Sequence, residues 1–243
     1  MAIDKAGTIV VIENKLDDTG KEQFMLRTIT VKGIGSVSIK PDFVVLSMKL
    51  EAKDEEYDKS MDMAAEQLEQ LNNSLASVGF EKNAVKTTNF NVDTDYDSYQ
   101  DEQGNYKRVF SGFVCEHRLK LSFDFDMKKL SQALAAVAKC LAHPELSISF
   151  TVKDATAVNE ELLREATVNA KRKADLLCEA SGVKLGQLIT IDYNWSELNI
   201  YSDTRYNISE RCLMEVPMKE MSIDIEPDDI DVRDTATFVW GIE

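Results

Sequence analysis

Histidine is nearly absent from this 243-residue chain: there are two, His117 and His143. General acid–base and metal chemistry therefore have little to draw on. Cysteine is sparse as well. Cys115, Cys140, Cys178 and Cys212 lie far apart with no C-x-x-C pair, so neither a zinc knuckle nor a redox dithiol is suggested. Cys115 falls in a strand pattern, Cys140 and Cys178 in helical ones, and buried free thiols are expected at those three. There is no G-x-S-x-G elbow, no H-E-x-x-H helix and no Walker A loop, which removes the obvious hydrolase and nucleotide signatures. No run approaches the roughly 18 apolar residues that span a bilayer, so no transmembrane segment is expected.

What is present is a globular, acidic composition. With 44% apolar residues the chain can bury a sizeable core, as one larger domain or two intimately packed halves. Twenty-eight basic residues against 43 acidic ones leave a formal charge of −15. That field repels phosphate backbones and anionic headgroups, so nucleic acid is not an expected partner. At the N-terminus, "MAIDKAGTIVVIENK" offers only Thr8 to Ile12 between charges, too short for a signal-peptide core and without a small-residue cleavage site. The chain as given reads as cytoplasmic, or periplasmic if an export leader preceded this numbering.

Residues 1–26 read as an N-terminal hairpin extension, with a strand at Thr8 to Ile12, a turn at "DDTGKE" and a return through Phe24. A strand to Ile39 follows, then a turn at Lys40 and Pro41. The next strand places Val44, Leu46, Met48 and Leu50 on one face. The first long helix is expected to be capped by Asp54, to bury Tyr57, Met61, Ala64, Ala65, Leu68, Leu71, Leu75 and Val78, and to stop at Gly79. "AVKTTNFNVDTDYDSYQ" and "VFSGFVCEHRLKLSFDF" read as a hairpin, the second strand turning Phe113, Cys115, His117, Leu119, Leu121, Phe123 and Phe125 to the core. A short helix at about 127–141 carries Leu130, Leu134, Val137 and Leu141. The strand "LSISFTVKD" leads into a helix from about Ala155 to Ser181, with Leu163, Ala166, Ala170, Ala174 and Leu177 inward and Gly182 as its stop. A strand in "GQLITIDYN" comes next. Residues 195–221 read as a long polar loop, and Val232 to Ile242 as a final strand.

The two long helices have matching surroundings. Lys53 and Asp54 before the first answer Lys153 and Asp154 before the second. After the glycine stops, Val85, Thr87, Phe90 and Asn91 align without gaps on Leu188, Thr190, Tyr193 and Asn194. The expected fold class is therefore α+β: a duplicated strand-helix-strand-strand unit, with helices packed on a mainly antiparallel sheet. The pseudo-repeats fall at about 27–125 and 146–243, joined by the short helix.

Each candidate for chemistry has a structural explanation. In "ITVKGIGSVSIKPD", Gly33-x-Gly35 lacks the third glycine and following helix of a dinucleotide fingerprint, so the pair reads as a bulge or a close-packing point. Cys115 and His117 could reach one ion, yet two ligands do not make a site, and a core histidine with a satisfied ring is expected. His143, before Pro144, is expected to face water. "DTDYDSYQDEQGNY" lacks the ligand order of an EF-hand and reads as an exposed hairpin tip. In "REATVNAKRKAD", the consecutive Lys171, Arg172 and Lys173 fan around a helix and form no stripe; a solvated face is expected.

Taken together, "ITVKGIGSVSIKPDFVVLSM", the helix ending at Gly79 with "VKTTNFNVDTDY", "FSGFVCEHRLKLSF", "EATVNAKRKADLLCEASGVKLGQL" and "TATFVWGIE" resemble the SIMPL-domain family of bacteria over nearly all of 27–243. The resemblance implies an α+β fold, a tendency toward ring-like or larger homo-oligomers, and a broad link to the cell envelope and to stress responses, oxidative stress among them. It implies no enzymatic activity, cofactor or catalytic residue. The leading expectation is thus a non-enzymatic protein whose partner is itself. One alternative is a small-ligand or peptide-binding module around Tyr96, Tyr99, Tyr106, Tyr201 and Tyr206. The other is an unrecognised enzyme or metal protein at Cys115 and His117.

Overall fold

Secondary structure follows the side-chain periodicity closely. The computed structural model describes residues 9–10, 27–100, 103–193, 198–208 and 226–243. In chain order the elements are β1 (Ile9–Val10), β2 (Thr28–Ile39), β3 (Phe43–Asp54), α1 (Tyr57–Ala76), β4 (Lys86–Gln100), β5 (Tyr106–Asp124), α2 (Met127–Ala138), β6 (Glu145–Thr151), α3 (Ala155–Ser181), β7 (Leu185–Tyr193), β8 (Tyr201–Ile208) and β9 (Ile230–Ile242). The α+β class holds, but the strands form two antiparallel sheets where the sequence suggested one. Their orders are β1-β2-β9-β7 and β4-β5-β3-β6-β8. Two compact units result. One is drawn from Met1–Ile39, Asp154–Ile200 and Asp229–Glu243, the other from Lys40–Lys153 and Tyr201–Asp228.

In the first unit, β2 and β9 pair without a break from Thr28 opposite Gly241 to Ile39 opposite Ile230. Their inward residues, Ile29 and Val31 with Ala236, Phe238, Trp240 and Ile242, are buried beneath Ala170, Ala174 and Cys178 of α3. The buried line of α3 is Val158, Leu162, Ala166, Ala170, Ala174 and Cys178, a strict spacing of four. Leu163 and Leu177, expected inward, are only half-buried flanks because the helix packs along this i+4 ridge. The unbroken ladder excludes a bulge at Gly33 and Gly35. A Cβ on Gly33 would lie 2.9 Å from the carbonyl carbon of Ala166, and one on Gly35 2.9 Å from that of Leu162. The glycines are there because α3 rests directly on the strand backbone. The ends of α3 fall where the sequence put them. Asp154 caps it by accepting from the N–H groups of Thr156 and Ala157, and Gly182 closes it in the left-handed region (φ 70°), which glycine adopts without a Cβ penalty.

The second unit buries Val44, Leu46, Met48 and Leu50 of β3, Leu119, Leu121 and Phe123 of β5, and Leu146, Ile148 and Phe150 of β6, with α1 and α2 supplying Leu71, Leu75, Leu130, Leu134 and Val137. Several helix details differ from expectation. The Asp54 carboxylate instead accepts from Glu56 N–H in a turn at the end of β3, so the N-cap is Glu56, which makes no side-chain capping bond. Tyr57 and Ala65 are exposed, whereas Ser60 is fully buried. α2 ends at Ala138, leaving Leu141 past its end and exposed. The polar stretch from Tyr201 to Ile208 is a strand, β8, paired with β6. Positions 195–197 and 209–221 of the expected loop lie outside the described residues, as does most of the N-terminal hairpin; its Ile9 and Val10 pair with Ile29 and Thr28.

The two units share one plan with an exchange of strands. In the second, α1 covers β3 and β5 in the order β4-β5-β3. In the first, α3 covers β2 and β9 in the order β7-β9-β2. β2 therefore takes the place that β6, the strand leading into α3, would fill in a contiguous repeat. β6 pairs with β3 instead.

Candidate functional site

Alternation along β5 sends Cys115 and His117 to the same face, as read from the sequence, but the structure gives them different partners. Cys115 is fully buried, its Sγ 3.5 Å from Ser60 Oγ and 3.6 Å from Met61 Sδ, beneath the first turns of α1. His117 is 7% exposed. Its Nε2 lies 2.8 Å from Thr87 Oγ1, and its ring meets Phe90 edge-on at 5.1 Å. Among the described residues no group of three or more His, Cys, Asp or Glu is placed to hold a metal ion.

Burial holds the His117 imidazole below its ordinary pKa. The unfolded chain takes up this proton as the pH falls through about 6.5, while the native state does so only at a lower pH. Stability is thus unaffected above that window, declines through it, and levels off below the folded value. Urea unfolding at about pH 7.5 and about pH 5.5 should show this acid-side loss, and His117→Gln should make it shallower. Equal slopes for the two proteins would show that His117 titrates like an exposed histidine.

A dense array of charge lies elsewhere in the same unit, on alternate residues of β3. Antiparallel register sets Lys49 between Glu145 of β6 and Arg118 of β5, and Glu51 opposite Glu116. Lys49 Nζ lies 3.2 Å from Glu51, 3.6 Å from Glu116 and 3.7 Å from Glu145. Its hydrogen bond to Glu51, aided by the other carboxylates and opposed by partial burial, raises its pKa. Arg118 Nε, 2.6 Å from Glu116, holds that carboxyl below its usual range. A cleft of about 390 Å³ opens beside this array, lined by Lys49, Glu51, Lys53, Gln67, His143 and Glu145 among others. A second, wider cleft shares Lys49 and Glu145.

His143 therefore lines a cleft and does not simply face water. It adopts φ 43°, and its Nδ1 is buried without a hydrogen-bond partner. Gln67 Nε2 donates to Glu51 O at 3.1 Å, while Gln67 Oε1 is likewise buried and unpartnered. No sequence motif announces these residues. They meet only through the pairing of β3 with β5 and β6.

The remaining candidates separate. β3 pairs with β5 only as far as Asp54 opposite Phe113, beyond which β4 and β5 continue as a two-stranded arm to Gln100 opposite Tyr106. The carboxylates once compared with a calcium loop are engaged there, Asp95 with Lys53 and Asp97 with Ser111 Oγ. A chain of edge-to-face contacts runs along the arm from Tyr57 to Phe113 (5.6 Å), Phe110 (5.3 Å) and Tyr96 (6.0 Å), with Arg108 4.8 Å above Tyr96. Tyr201 and Tyr206 sit on β8, at the opposite edge of the sheet from β4, so the tyrosines do not gather into one cleft. In the other unit, Lys173 Nζ donates to Lys32 O at 3.0 Å, while Lys171 and Arg172 face solvent. No helix among the described residues is long and apolar enough to cross a membrane.

No curated protein matches the chain. A family model does, over residues 29–240, a span that takes in the three helices among the described residues and nearly all of both sheets. It is the model of SIMPL, described as a protein of unknown function (DUF541), and on that match the chain belongs to the SIMPL family.

Proposed function

We propose that this chain is a non-enzymatic assembly protein, and that its partner is a second copy of itself, engaged through the β4–β5 arm. The arm carries the reading. A lone two-stranded ribbon is marginally stable in water, yet this one extends past its supporting sheet with Tyr106 80% and Phe110 47% exposed, next to half-exposed Tyr96 and Tyr99. Exposed aromatic stripes of this kind are typical of contact surfaces. Lys107 and Arg108 are offset along the same stretch by Asp95, Asp97, Asp101 and Glu102, so the contact rests on the aromatic side chains and not on charge. Cys115 and His117, packed against separate partners, act as core residues in this reading. Family resemblance extends it to a role in the envelope or in oxidative-stress response.

Sedimentation velocity at micromolar concentration tests the assembly. Wild type should sediment as an oligomer, and Tyr99→Asp/Tyr106→Asp should move it to monomer with the thermal transition unchanged, since both side chains are exposed and neither enters the chain of ring contacts along the arm. A wild-type monomer, or an oligomer indifferent to the double substitution, would remove the reading.

A further inference from the structure

A strand at the margin of a sheet presents a row of N–H and C=O groups on which another chain can pair. This protein treats its margins differently. β4, β7 and β8 all pair with register shifts: at Thr87/Asn89 and Asp95/Tyr96 in β4, between Leu185 and Thr190 in β7, and opposite Ser149/Thr151 of β6 in β8. Such irregularities turn a margin away from a regular partner. The ladder of β2 has no break from Thr28 to Ile39. Beyond Ile29, where the pairing with β1 stops, no strand among the described residues lies on its outer side. Its sequence, "TITVKGIGSVSI", is rich in β-branched residues, has Lys32 as its only charge and contains no proline. A strand of that kind is a template for a further strand.

Two side chains of α3 stand in the way. Ile242 N–H donates to Arg27 O at 2.9 Å, so alternate residues from there, Ile29, Val31 and Gly33, direct their backbone groups to β9. Thr30, Lys32 and Ile34 direct theirs outward. On that outer side Asn169 Oδ1 accepts from Ile34 N–H at 3.1 Å, and Lys173 Nζ donates to Lys32 O at 3.0 Å. The donor and the acceptor that an incoming strand needs at this point are both taken. Asn169 and Lys173 stand one turn apart on α3, and they reach the margin because Gly33 and Gly35 let the helix lie directly on the strand.

We propose that Asn169 and Lys173 form a latch that closes the β2 margin against strand addition by a second copy of the chain. One member of the basic cluster on α3 thereby has a defined task, which is to hold a backbone carbonyl. The latch leaves association to other surfaces, and it does not depend on the arm being one of them.

Sedimentation velocity of the full chain carrying Tyr99→Asp/Tyr106→Asp, which takes the arm out of play, tests the latch. Adding Asn169→Leu/Lys173→Met removes the acceptor and the donor at nearly constant size. Both positions are only half-buried and both replacements are good helix formers, so α3 should tolerate them. The sedimenting mass at micromolar concentration should at least double. Replacing Lys173 makes an acidic chain more acidic, so charge alone opposes that gain. Asn169→Asp keeps an acceptor for Ile34 N–H and should sediment as the parent. Adding Ile34→Pro to Asn169→Leu/Lys173→Met should restore the parent mass, because proline offers no N–H at the margin. Ile34→Lys, which sets a charge there, takes its place if circular dichroism shows the proline variant unfolded. Parent mass in Asn169→Leu/Lys173→Met, or the same gain in Asn169→Asp, would overturn the proposal. So would a gain that persists with Ile34 replaced, since association would then come from the new apolar side chains or a loosened fold.

Discussion

Gly35→Ala and Gly33→Ala should each destabilise the protein by about 3 kcal/mol, the upper part of the usual range for overpacking. The new methyl group at either site meets backbone. At Gly33 it falls 2.9 Å from both the carbonyl carbon of Ala166 and the Cβ of Ala170. At Gly35 it falls 2.9 Å from the carbonyl carbon and 3.1 Å from the Cα of Leu162. No rotamer change relieves such contacts, so α3 must lift from β2 and loosen the layer over Ile29, Val31 and Phe238. Ile34, between the two glycines, is the control. Its side chain points outward and is 44% exposed, so Ile34→Ala should change stability by about 0.5 kcal/mol or less. Urea unfolding of the three variants measures the contrast. Wild-type stability in Gly35→Ala would mean that α3 does not lie on that strand.

Phe150→Ala should cost about 3–5 kcal/mol, as expected for removing a fully buried aromatic from a closed core. Phe150 lies opposite Val44 in the β3–β6 ladder and meets the Phe125 ring edge-on at 5.7 Å. Both sides of the ring are thus packed, and the vacated volume has little means of collapse. The effect should appear as a lower urea midpoint with an unchanged slope, because the native fold persists with a cavity in it. A cost below about 1 kcal/mol would show that this face of β6 is open to solvent.

How far the sequence could be read depended on the range of the interaction concerned. The stop of α3 was legible because Gly182 acts within one turn of where it stands, whereas the capping role given to Asp54 is filled by Asp154 on the other long helix. The inward face of β5 was legible because alternation is a property of the strand alone. Gly33 and Gly35 could be narrowed to two structural roles, and only the ladder with β9 and the approach of α3 chose between them. Leu163 and Leu177 were misplaced because several arcs of α3 are apolar enough to face inward, and the sheet beneath selects one. β8 was missed since an edge strand of polar and tyrosine residues need not alternate. The exchange of β2 and β6 was hidden for a plainer reason. Every strand among the described residues pairs antiparallel, and nothing local to a strand names its partner. The same blindness concealed the cleft, whose lining comes from β3, α1 and the turn before β6.

The pairing of β2 with β9 also governs how the protein emerges from the ribosome. Among the described residues β2 precedes the other long strands, and β9, which lies between it and β7, follows them. The second unit can take its core from Lys40–Lys153 well before β9 is made. During that interval Ile29, Val31 and the alanine ridge of α3 lack Phe238 and Trp240, so nascent chains carry an apolar surface that chaperones or proteases recognise. Synthesis of β9 is therefore the step that conceals it, and a chain stalled before Ile230 keeps that surface open.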